Sequence, residues 1–157
     1  MITCLARENI MTKIDEYEAL QLENQLCFPL YACARNVINL YTPFFKPLGI
    51  TYTQYIVFLV LWNQDSISVG ELGKKLYLDN GTLTPLLKKM QEKGYLTRQR
   101  SRNDERIVLV SLTEKGWALR DKVKNIPTEL GACIPLTEEE SRTLYTLLYK
   151  VINSLEK

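Results

Sequence analysis

The chain has 157 residues, of which 46% are apolar and 24% are charged, and its formal net charge is +2. These totals are enough for one domain with a hydrophobic core, and the charge balance alone points to no class of partner. The longest unbroken apolar run, Tyr55 to Trp62, is far short of the roughly 20 residues that span a bilayer.

The first residues contain no continuous apolar segment and become acidic, which is not the pattern of a signal peptide. We therefore expect a cytoplasmic protein without a membrane partner. Met11 is an alternative start to Met1, and Cys4 would then lie on a tail without structural importance.

The residue types exclude several common catalytic sites. The sequence has no histidine, and its cysteines, Cys4, Cys27, Cys33 and Cys133, show neither C-x-x-C spacing nor a paired pattern. Catalytic arrangements built on histidine are therefore absent, and a zinc site is disfavoured. No glycine-rich loop opens a helix after a strand. We predict no metal, no cofactor and no enzymatic activity.

The first predicted helix follows from apolar residues at helical spacing over residues 22–41. Pro29 is tolerated only near a helix start, because further in it removes a hydrogen bond and clashes with the preceding turn. This places Cys27 in or near the first turn, with Asn24 as the expected N-cap. A proline-containing loop, residues 42–51, should follow.

Two capping-box sequences predict the next helices. Thr51 and Gln54 precede an apolar run that we interpret as a buried helix, although its composition also permits a strand. Ser68 and Glu71 open a second helix, and a further periodic segment follows a polar turn at residues 77–81. Two short helices around a tight turn are typical of a helix-turn-helix.

The remaining elements are a hairpin and two helices. Residues 95–100 and 107–112 alternate on either side of a charged turn, which predicts a β-hairpin. Thr113 should cap the next helix, and Thr137 with Glu140 should open the last one. The predicted fold is mainly α with a small β-hairpin. It is a single domain over residues 1–157, with an extension at 1–20, a winged helix-turn-helix at 51–113, and flanking helical segments at 21–50 and 114–157.

Positive charge is concentrated in the second half of the winged segment. Residues 88–106 contain seven basic and three acidic side chains. Such local density suits double-stranded DNA, because neutralisation of phosphates supplies much of the affinity. A solvated basic face is the alternative, but helix, turn, helix and basic hairpin in that order favour DNA. The candidate DNA-contacting residues are Asn80, Thr82, Thr84, Lys88, Lys89, Arg98, Arg100, Arg102, Asp104 and Arg106.

Within this set, different residues have different expected roles. The start of the second helix, with Asn80 and Thr82, should meet base edges and phosphates in the major groove. Arg106 at the hairpin tip is suited to the narrower minor groove. Asp104 lies two residues earlier and is placed to orient that guanidinium by a charge-assisted hydrogen bond.

Several ordered segments resemble one family. They are LENQLCF at residues 22–28, GITYTQY at 49–55, LDNGTLTPLLKKM at 78–90, and Asp104-x-Arg106 leading into VSLTEKG at 110–116. Together they are similar to the organic hydroperoxide resistance regulator (OhrR) branch of the multiple-antibiotic-resistance regulator (MarR) family, over about residues 20–157. The resemblance implies a homodimeric repressor that binds a palindromic operator, with the first and last helices as dimerisation helices.

The resemblance also implies a redox site. Cys27 takes the place of the peroxide sensor, and Tyr41 and Tyr52 take the places of two tyrosines that hydrogen-bond its sulfur. A thiolate attacks the peroxide oxygen, and a helix N-terminus and phenolic donors favour that ionised form. Apolar neighbours would suit organic hydroperoxides. Without the resemblance, core packing would be the better interpretation of such a cysteine, and Cys33 keeps it.

The resemblance leaves two routes open for the oxidised sensor. In some members a second cysteine from the other subunit forms an intersubunit disulfide, and Cys133 lies in the corresponding region before the last helix. In others a low-molecular-weight thiol caps the sensor. Two alternative functions also remain: a MarR-type regulator of a small phenolic or aromatic ligand, with Cys27 structural, and a thiol peroxidase.

Overall fold

Residues 17–155 are the part of the chain that the computed structural model describes, and they contain eight α-helices and three β-strands. The helices are α1 (Cys27–Leu40), α2 (Thr42–Phe45), α3 (Tyr52–Asn63), α4 (Val69–Leu76), α5 (Asn80–Glu92), α6 (Glu114–Val123), α7 (Ile126–Gly131) and α8 (Glu138–Leu155). The strands are β1 (Ile67–Ser68), β2 (Leu96–Arg100) and β3 (Val108–Leu112). The predicted mainly α fold with a small β component is confirmed.

The chain divides into two compact units, residues 1–40 and residues 41–157. In the described part, the first unit holds two single 3₁₀ turns and α1, and the second holds every other element. The expected extension at residues 1–20 lies mostly outside the described residues, as do Cys4 and Met11.

Helix α1 begins at Cys27, so Pro29 lies in its first turn as predicted. The prediction that Asn24 caps this helix was wrong. Asn24 ends a 3₁₀ turn and its side-chain amide donates to the Glu18 carbonyl at 2.8 Å. The Asn24 side chain therefore makes its hydrogen bond within the preceding turns, because a short amide side chain reaches a nearby backbone carbonyl.

The segment predicted as a loop, residues 42–51, contains the short helix α2. Pro43 lies at the start of this helix, where its missing N–H costs nothing. Phe45 anchors the turn in the core, and Gly49 then adopts a left-handed φ of 65°. Prolines in a short segment are typical of a loop, whereas here Pro43 lies at the start of a helix.

Both capping boxes predicted in this region are present. Thr51 Oγ1 accepts from the Gln54 amide at 3.3 Å, and Ser68 Oγ accepts from the Glu71 amide at 3.2 Å. The apolar run after Thr51 is therefore helical, and five residues of α3 are buried. A helix that is apolar on most sides needs such burial.

Helix α5 begins within the segment that was predicted as a turn. The residue that caps it is Asp79, whose Oδ1 accepts from the Thr82 amide at 2.9 Å. Asn80 is already helical, and Tyr77 ends α4 in the left-handed region with φ of 55°. The turn between the two helices is therefore shorter than predicted.

The predicted hairpin is confirmed and is part of a three-stranded antiparallel sheet in the order β1-β3-β2. Leu96 pairs with Leu112 and Arg100 pairs with Val108. Strand β1 was not predicted, because two residues are too few to show an alternating pattern. Its Ile67 pairs with Val110, which ties the start of α4 to the hairpin.

In the C-terminal part, Thr113 caps α6 by accepting from the Gly116 amide at 3.2 Å, as predicted. Thr137 and Glu140 form the expected box before α8. Helix α7 was not predicted, because it is short and Pro127, a residue type that often ends helices, here lies at the helix start.

The hydrophobic core lies in the second unit, between α3, α4, α5, the sheet and α6. Its fully buried side chains include Phe58, Leu72, Leu87 and Val110. By contrast, α1 and α8 contain no buried residue in the single chain. Over residues 17–155, no helix is long and apolar enough to cross a membrane.

Candidate nucleic-acid interface and reactive cysteine

Helix α5 presents one buried and one exposed face. The buried face holds Leu83, Leu87 and Met90, which pack in the core. The exposed face holds the polar and basic residues proposed from the sequence: Asn80, Thr82, Thr84, Lys88 and Lys89. This division follows from helical periodicity, and it directs all five candidate residues toward solvent.

An open groove of about 490 Å³ lies beside the start of α5. It is lined by Asn80 and Thr84 of α5, by Arg98 and Arg106 of the hairpin, and by Ser68, Val69 and Gly70 at the start of α4. The structure thus brings together four residues that were proposed from two distant parts of the sequence. They form a concave and locally basic surface.

The arginines of the hairpin are divided between two sides. Arg98 lines the groove, and its Nε donates to Gln91 Oε1 of α5 at 2.7 Å. Arg100 and Arg102 line a second depression of about 520 Å³ with the polar side chains of Thr97 and Gln99. Strand alternation places Thr97 and Gln99 on the face opposite Arg98. Arg100, the last residue of β2, and Arg102, in the turn, reach that second side although Arg100 lies only two residues from Arg98.

Asp104 does not orient the Arg106 guanidinium, contrary to the prediction. Its Oδ1 accepts from the Arg106 backbone amide at 2.9 Å, and the ion pairs found among residues 17–155 do not include these two side chains. A short aspartate two residues before an amide commonly closes such a turn. The Glu105 carbonyl also accepts from Arg100 Nη1 at 3.0 Å. Asp104 therefore shapes the turn from which Arg106 projects.

Sequence reasoning missed Asp79, which was placed in the turn without a role. Hydrogen bonds from the Thr82 amide and hydroxyl lower the pKa of the Asp79 carboxyl below its usual range. The carboxylate therefore caps α5 at neutral pH and fixes where the helix starts. The sequence signal for this cap is Asp79 itself, since aspartate is a preferred N-cap residue and stands three residues before Thr82, just ahead of the apolar periodic segment.

Cys27 is the first residue of α1 and is exposed. Its Sγ lies 3.7 Å from Gln25 Oε1. The first turn of α1 has few free backbone donors, because Pro29 has no N–H and the Phe28 amide donates to the Gln25 carbonyl at 3.1 Å. Phe28 follows it and is 42% exposed, which leaves an aromatic surface beside the sulfur-bearing residue.

Tyr41 and Tyr52 lie together in the second unit. Their ring centroids are 5.0 Å apart in an edge-to-face arrangement, and Phe45 and Tyr55 complete the aromatic cluster. Burial, and then the neighbouring Tyr52, raise the pKa of Tyr41, and burial raises the pKa of Tyr55 to about 12. Tyr41 and Tyr55 therefore remain hydrogen-bond donors at neutral pH.

The other cysteines of the described part are both exposed. Cys133 follows α7 in the turn before α8, and its Sγ donates to the Glu129 carbonyl at 3.6 Å. Cys33 was expected to pack in the core, and this was wrong, because α1 has no buried residue in the single chain. Among residues 17–155, no group of acidic, cysteine or histidine side chains is arranged to hold a metal ion.

The chain is similar to known transcriptional regulators. The transcriptional regulator SarA/Rot family matches residues 39–124. The organic hydroperoxide resistance transcriptional regulator of Bacillus subtilis is 42% identical over 143 residues, which cover 91% of this chain and 97% of that relative.

Solved structures are similar as well. Reduced AbfR bound to DNA is 32% identical, with a TM-score of 0.73, and the match covers 88% of this chain and 96% of that one. AbfR, a protein of Staphylococcus epidermidis, is also known in a disulfide-formed state, with 34% identity, a TM-score of 0.58 and coverage of 88% and 94%. A mutant of MarR from E. coli in complex with operator DNA is 31% identical, with a TM-score of 0.73 and coverage of 87% and 98%.

These relatives are regulators of transcription and not enzymes, which removes the thiol-peroxidase alternative. Their match extends over the helix-turn-helix and the hairpin, so the winged helix-turn-helix is the shared architecture. The chain therefore belongs to the SarA/Rot family of transcriptional regulators and is a regulator of the MarR/OhrR type, as its motifs had predicted.

Proposed function

We propose that the protein is a DNA-binding repressor that responds to organic hydroperoxides through oxidation of Cys27. The observation that carries the DNA-binding part is the groove in which Asn80 and Thr84 of α5 meet Arg98 and Arg106 of the hairpin. The part that concerns hydroperoxides rests on the exposed position of Cys27 at the start of α1 and on the B. subtilis relative.

On DNA, the exposed face of α5 enters the major groove and the hairpin approaches the adjacent minor groove. Asn80, Thr82 and Thr84 contact base edges and phosphates there, while Lys88 and Lys89 neutralise phosphates. The hairpin contributes Arg98, Arg100, Arg102 and Arg106, with Asp104 shaping its tip. Reduced AbfR and the MarR mutant, whose folds this chain shares, were both solved with DNA.

A homodimer reads a palindromic operator, because two copies of α5 related by a two-fold axis meet two half-sites. The dimerisation helices in this proposal are α1 and α8, within the flanking segments 21–50 and 114–157. Each presents large apolar side chains to solvent in the single chain, among them Phe28 and Tyr31 of α1 and Leu147 and Val151 of α8. Exposed apolar area of this kind is usually covered by a partner.

The sensing reaction begins with the Cys27 thiolate. Its sulfur attacks the terminal oxygen of the hydroperoxide, the O–O bond breaks and cysteine becomes a sulfenic acid. The rest of the peroxide leaves as an alkoxide, which takes a proton from solvent to become an alcohol. Tyr41 and Tyr52 donate hydrogen bonds to the sulfur in this proposal. The raised pKa of Tyr41 keeps its phenol protonated and able to donate.

The sulfenic acid then reacts with a second thiol. The Cys133 thiol of the other subunit attacks the oxidised sulfur, a disulfide forms, and water leaves. A low-molecular-weight thiol can take the place of Cys133: it attacks the sulfenic sulfur, a mixed disulfide forms, and water leaves. AbfR supports the first route, since that protein has been solved in a disulfide-formed state. Either product changes the first turn of α1 and releases the operator.

The first experiment measures fluorescence anisotropy of promoter DNA with the wild type, Cys27→Ser and Cys33→Ser, before and after treatment with cumene hydroperoxide. Cys33 is the matched control, because it is exposed on the same helix. We expect all three reduced proteins to bind. Hydroperoxide should weaken binding by the wild type and Cys33→Ser by at least tenfold, about 1.4 kcal/mol, and should leave Cys27→Ser bound.

Other outcomes would contradict specific parts of the proposal. Loss of binding by Cys27→Ser under hydroperoxide would remove Cys27 as the sensor. If no protein responds to hydroperoxide but salicylate releases all three, the regulator of a phenolic ligand would replace the redox sensor. Failure of every reduced protein to bind promoter DNA would contradict the proposed interface.

A further inference from the structure

Residues 93–95, directly after α5, bond to a distant part of the second unit, and we name them the α5 junction. Lys93 Nζ donates to the Gly49 carbonyl at 2.5 Å, and Tyr95 Oη donates to the Leu48 carbonyl at 3.3 Å. Both carbonyls belong to the turn at residues 46–50, between α2 and α3. Two side-chain donors therefore hold the end of the DNA-contacting helix to this turn.

The α5 junction is also bound to the start of α6. Lys115 Nζ donates to the Lys93 carbonyl at 2.7 Å and lies 4.7 Å from the centroid of the Tyr95 ring. Thr113 Oγ1 donates to the Gly94 carbonyl at 2.7 Å, and the Thr113 amide donates to the Tyr95 carbonyl at 3.1 Å. Because it is held from two directions, the junction follows the turn at 46–50 instead of fraying independently.

The turn at residues 46–50 is also bonded to the aromatic cluster. The amides of Leu48 and Ile50 donate to the Phe45 carbonyl at 3.1 and 3.2 Å, and the Phe45 amide donates to the Tyr41 carbonyl at 3.0 Å. The rings of Phe45 and Tyr41 also lie in contact, with centroids 5.2 Å apart. A displacement of Tyr41 would therefore move the carbonyls that Lys93 and Tyr95 hold.

We propose that Lys93 and Tyr95 are positioning residues that couple the aromatic cluster around Tyr41 to the orientation of α5. Helix α5 has 13 residues, so a shift at its end reorients the start that carries Asn80. The path from Tyr41 to the junction consists of ring contacts and hydrogen bonds, which are the kinds of contact that carry energetic coupling between sites. The inference deepens the proposed function, since hydroperoxide would be its input and DNA affinity its output.

The test uses variants that remove only the donors. Tyr95→Phe keeps the ring, which lies edge-to-face against Phe58 at 5.4 Å, and Lys93→Met keeps most of the aliphatic stem. The combined Lys93→Met/Tyr95→Phe protein is the junction variant, and both single variants are made as well. Lys122→Met is the control for loss of one charge, because Lys122 is exposed on α6 away from these contacts.

The first arm needs neither hydroperoxide nor DNA. Tyr41→Leu perturbs the aromatic cluster, and amide hydrogen exchange is then measured over residues 86–95 by mass spectrometry. With the native junction or Lys122→Met, we expect Tyr41→Leu to raise exchange at these amides by about fivefold or more, the lower end of typical coupling between sites. In the junction variant, the further increase caused by Tyr41→Leu should be less than about twofold.

Equal increases with and without the junction would overturn the inference. If the junction variant melts too early to compare, the Tyr95→Phe single variant provides the same comparison with one hydrogen bond removed. A loss of stability alone would raise exchange throughout the chain, whereas a broken coupling changes the response of residues 86–95 to Tyr41→Leu.

The second arm separates this inference from the proposed function. The ratio of operator affinity before and after hydroperoxide is measured for the wild type and the junction variant. A wild type that hydroperoxide does not release, with coupling present in the first arm, contradicts the redox proposal and leaves the coupling standing. A wild type that is released, together with a junction variant that shows the same ratio, contradicts the coupling and leaves the redox proposal standing.

Discussion

Gly116 illustrates how a single residue type sets the packing of α6. A Cβ at this position would clash with the Tyr95 carbonyl and would meet Leu112 Cδ2 at 3.0 Å. The Gly116 carbonyl accepts from Trp62 Nε1 of α3 at 3.1 Å, so the backbone at this point touches both neighbours. Glycine is required at position 116 because the backbone of α6 closely approaches the Tyr95 carbonyl, and not because the position has an unusual φ.

We expect Gly116→Ala to destabilise the fold by roughly 1–3 kcal/mol, because the backbone of α6 must move away from Tyr95. For a chain of this size, each 1 kcal/mol corresponds to about 2–4 °C in Tm. Gly131→Ala is the matched control, since a Cβ there meets nothing within 4 Å. Thermal melting followed by circular dichroism should show a lower Tm than the wild type for Gly116→Ala only. Equal Tm values for Gly116→Ala and the wild type would contradict the close contact.

Asp79 gives the start of α5 a dependence on pH. Its pKa is lowered in the folded protein by hydrogen bonds from Thr82, so its contribution to stability is present above the pKa of the unfolded chain. That contribution is lost as pH falls through the folded value. Asp79→Asn preserves a capping side chain that does not titrate.

We therefore expect the difference in Tm between the wild type and Asp79→Asn to shrink as pH falls from 7 to about 3, which is below the unperturbed aspartic acid pKa of about 3.9. Glu92→Gln, at the exposed end of the same helix, is the control for the loss of one carboxylate. Melting curves across this range provide the measurement. If the Tm difference between the wild type and Asp79→Asn stays constant over this pH range, the Asp79 cap does not titrate there.

At the scale of elements, Arg98 connects the hairpin to α5, and strand β1 connects the hairpin to α4, the other helix of the helix-turn-helix. Ile67 of β1 pairs with Val110 of β3, and Arg98 of β2 bonds to Gln91 of α5. The two parts of the proposed DNA-binding surface are therefore held at a set separation. A wing without these contacts would place its arginines independently of the helix.

We expect Arg106→Ala to weaken promoter binding and to reduce the slope of log K against log salt concentration by about 1 per subunit. The physical reason is that one phosphate-neutralising charge on the groove beside α5 is lost. Lys122→Ala removes the same charge from α6 and should change the slope little. Anisotropy titrations at several salt concentrations test this, and an unchanged slope for Arg106→Ala would remove it from the interface.

Capping sequences made four helix starts predictable. The boxes at Thr51, Ser68 and Thr137, and the cap at Thr113, lie where the sequence placed them. Each is a hydrogen bond between residues three apart, so local sequence contains both partners. Helices α2 and α7 were missed because a proline at a helix start looks the same in sequence as a proline that ends one.

At the scale of the whole molecule, α1 and α8 have no buried residue in one chain although both are apolar on one side. Helices of this length depend on tertiary packing for most of their stability. A second copy of the chain supplies such packing in the proposed dimer. The exposed Cys27 and Cys133 are then available for an intersubunit bond.

We expect hydroperoxide to produce a band of twice the chain mass on non-reducing gels, and Cys133→Ser to abolish it. In the proposed two-cysteine route, the Cys133 thiol attacks the sulfenic acid on Cys27 of the other subunit. Cys33→Ser is the control and should keep the band. A band that persists without Cys133 would identify another cysteine as the partner. If a low-molecular-weight thiol is added and the protein stays monomeric with an intact mass increased by one such thiol, capping by a small thiol is favoured.

The sequence by itself determined the starts of α3, α4, α6 and α8, the hairpin, the exposed basic face of α5 and the family of regulators, because each depends on residues close together in the chain or on ordered motifs. Only the tertiary structure decided that β1 completes the sheet, that Arg98 and Arg106 share a groove with Asn80, and that Lys93 reaches Gly49. Those contacts join residues far apart in sequence. Their formation depends on how the core packs, which no local pattern encodes.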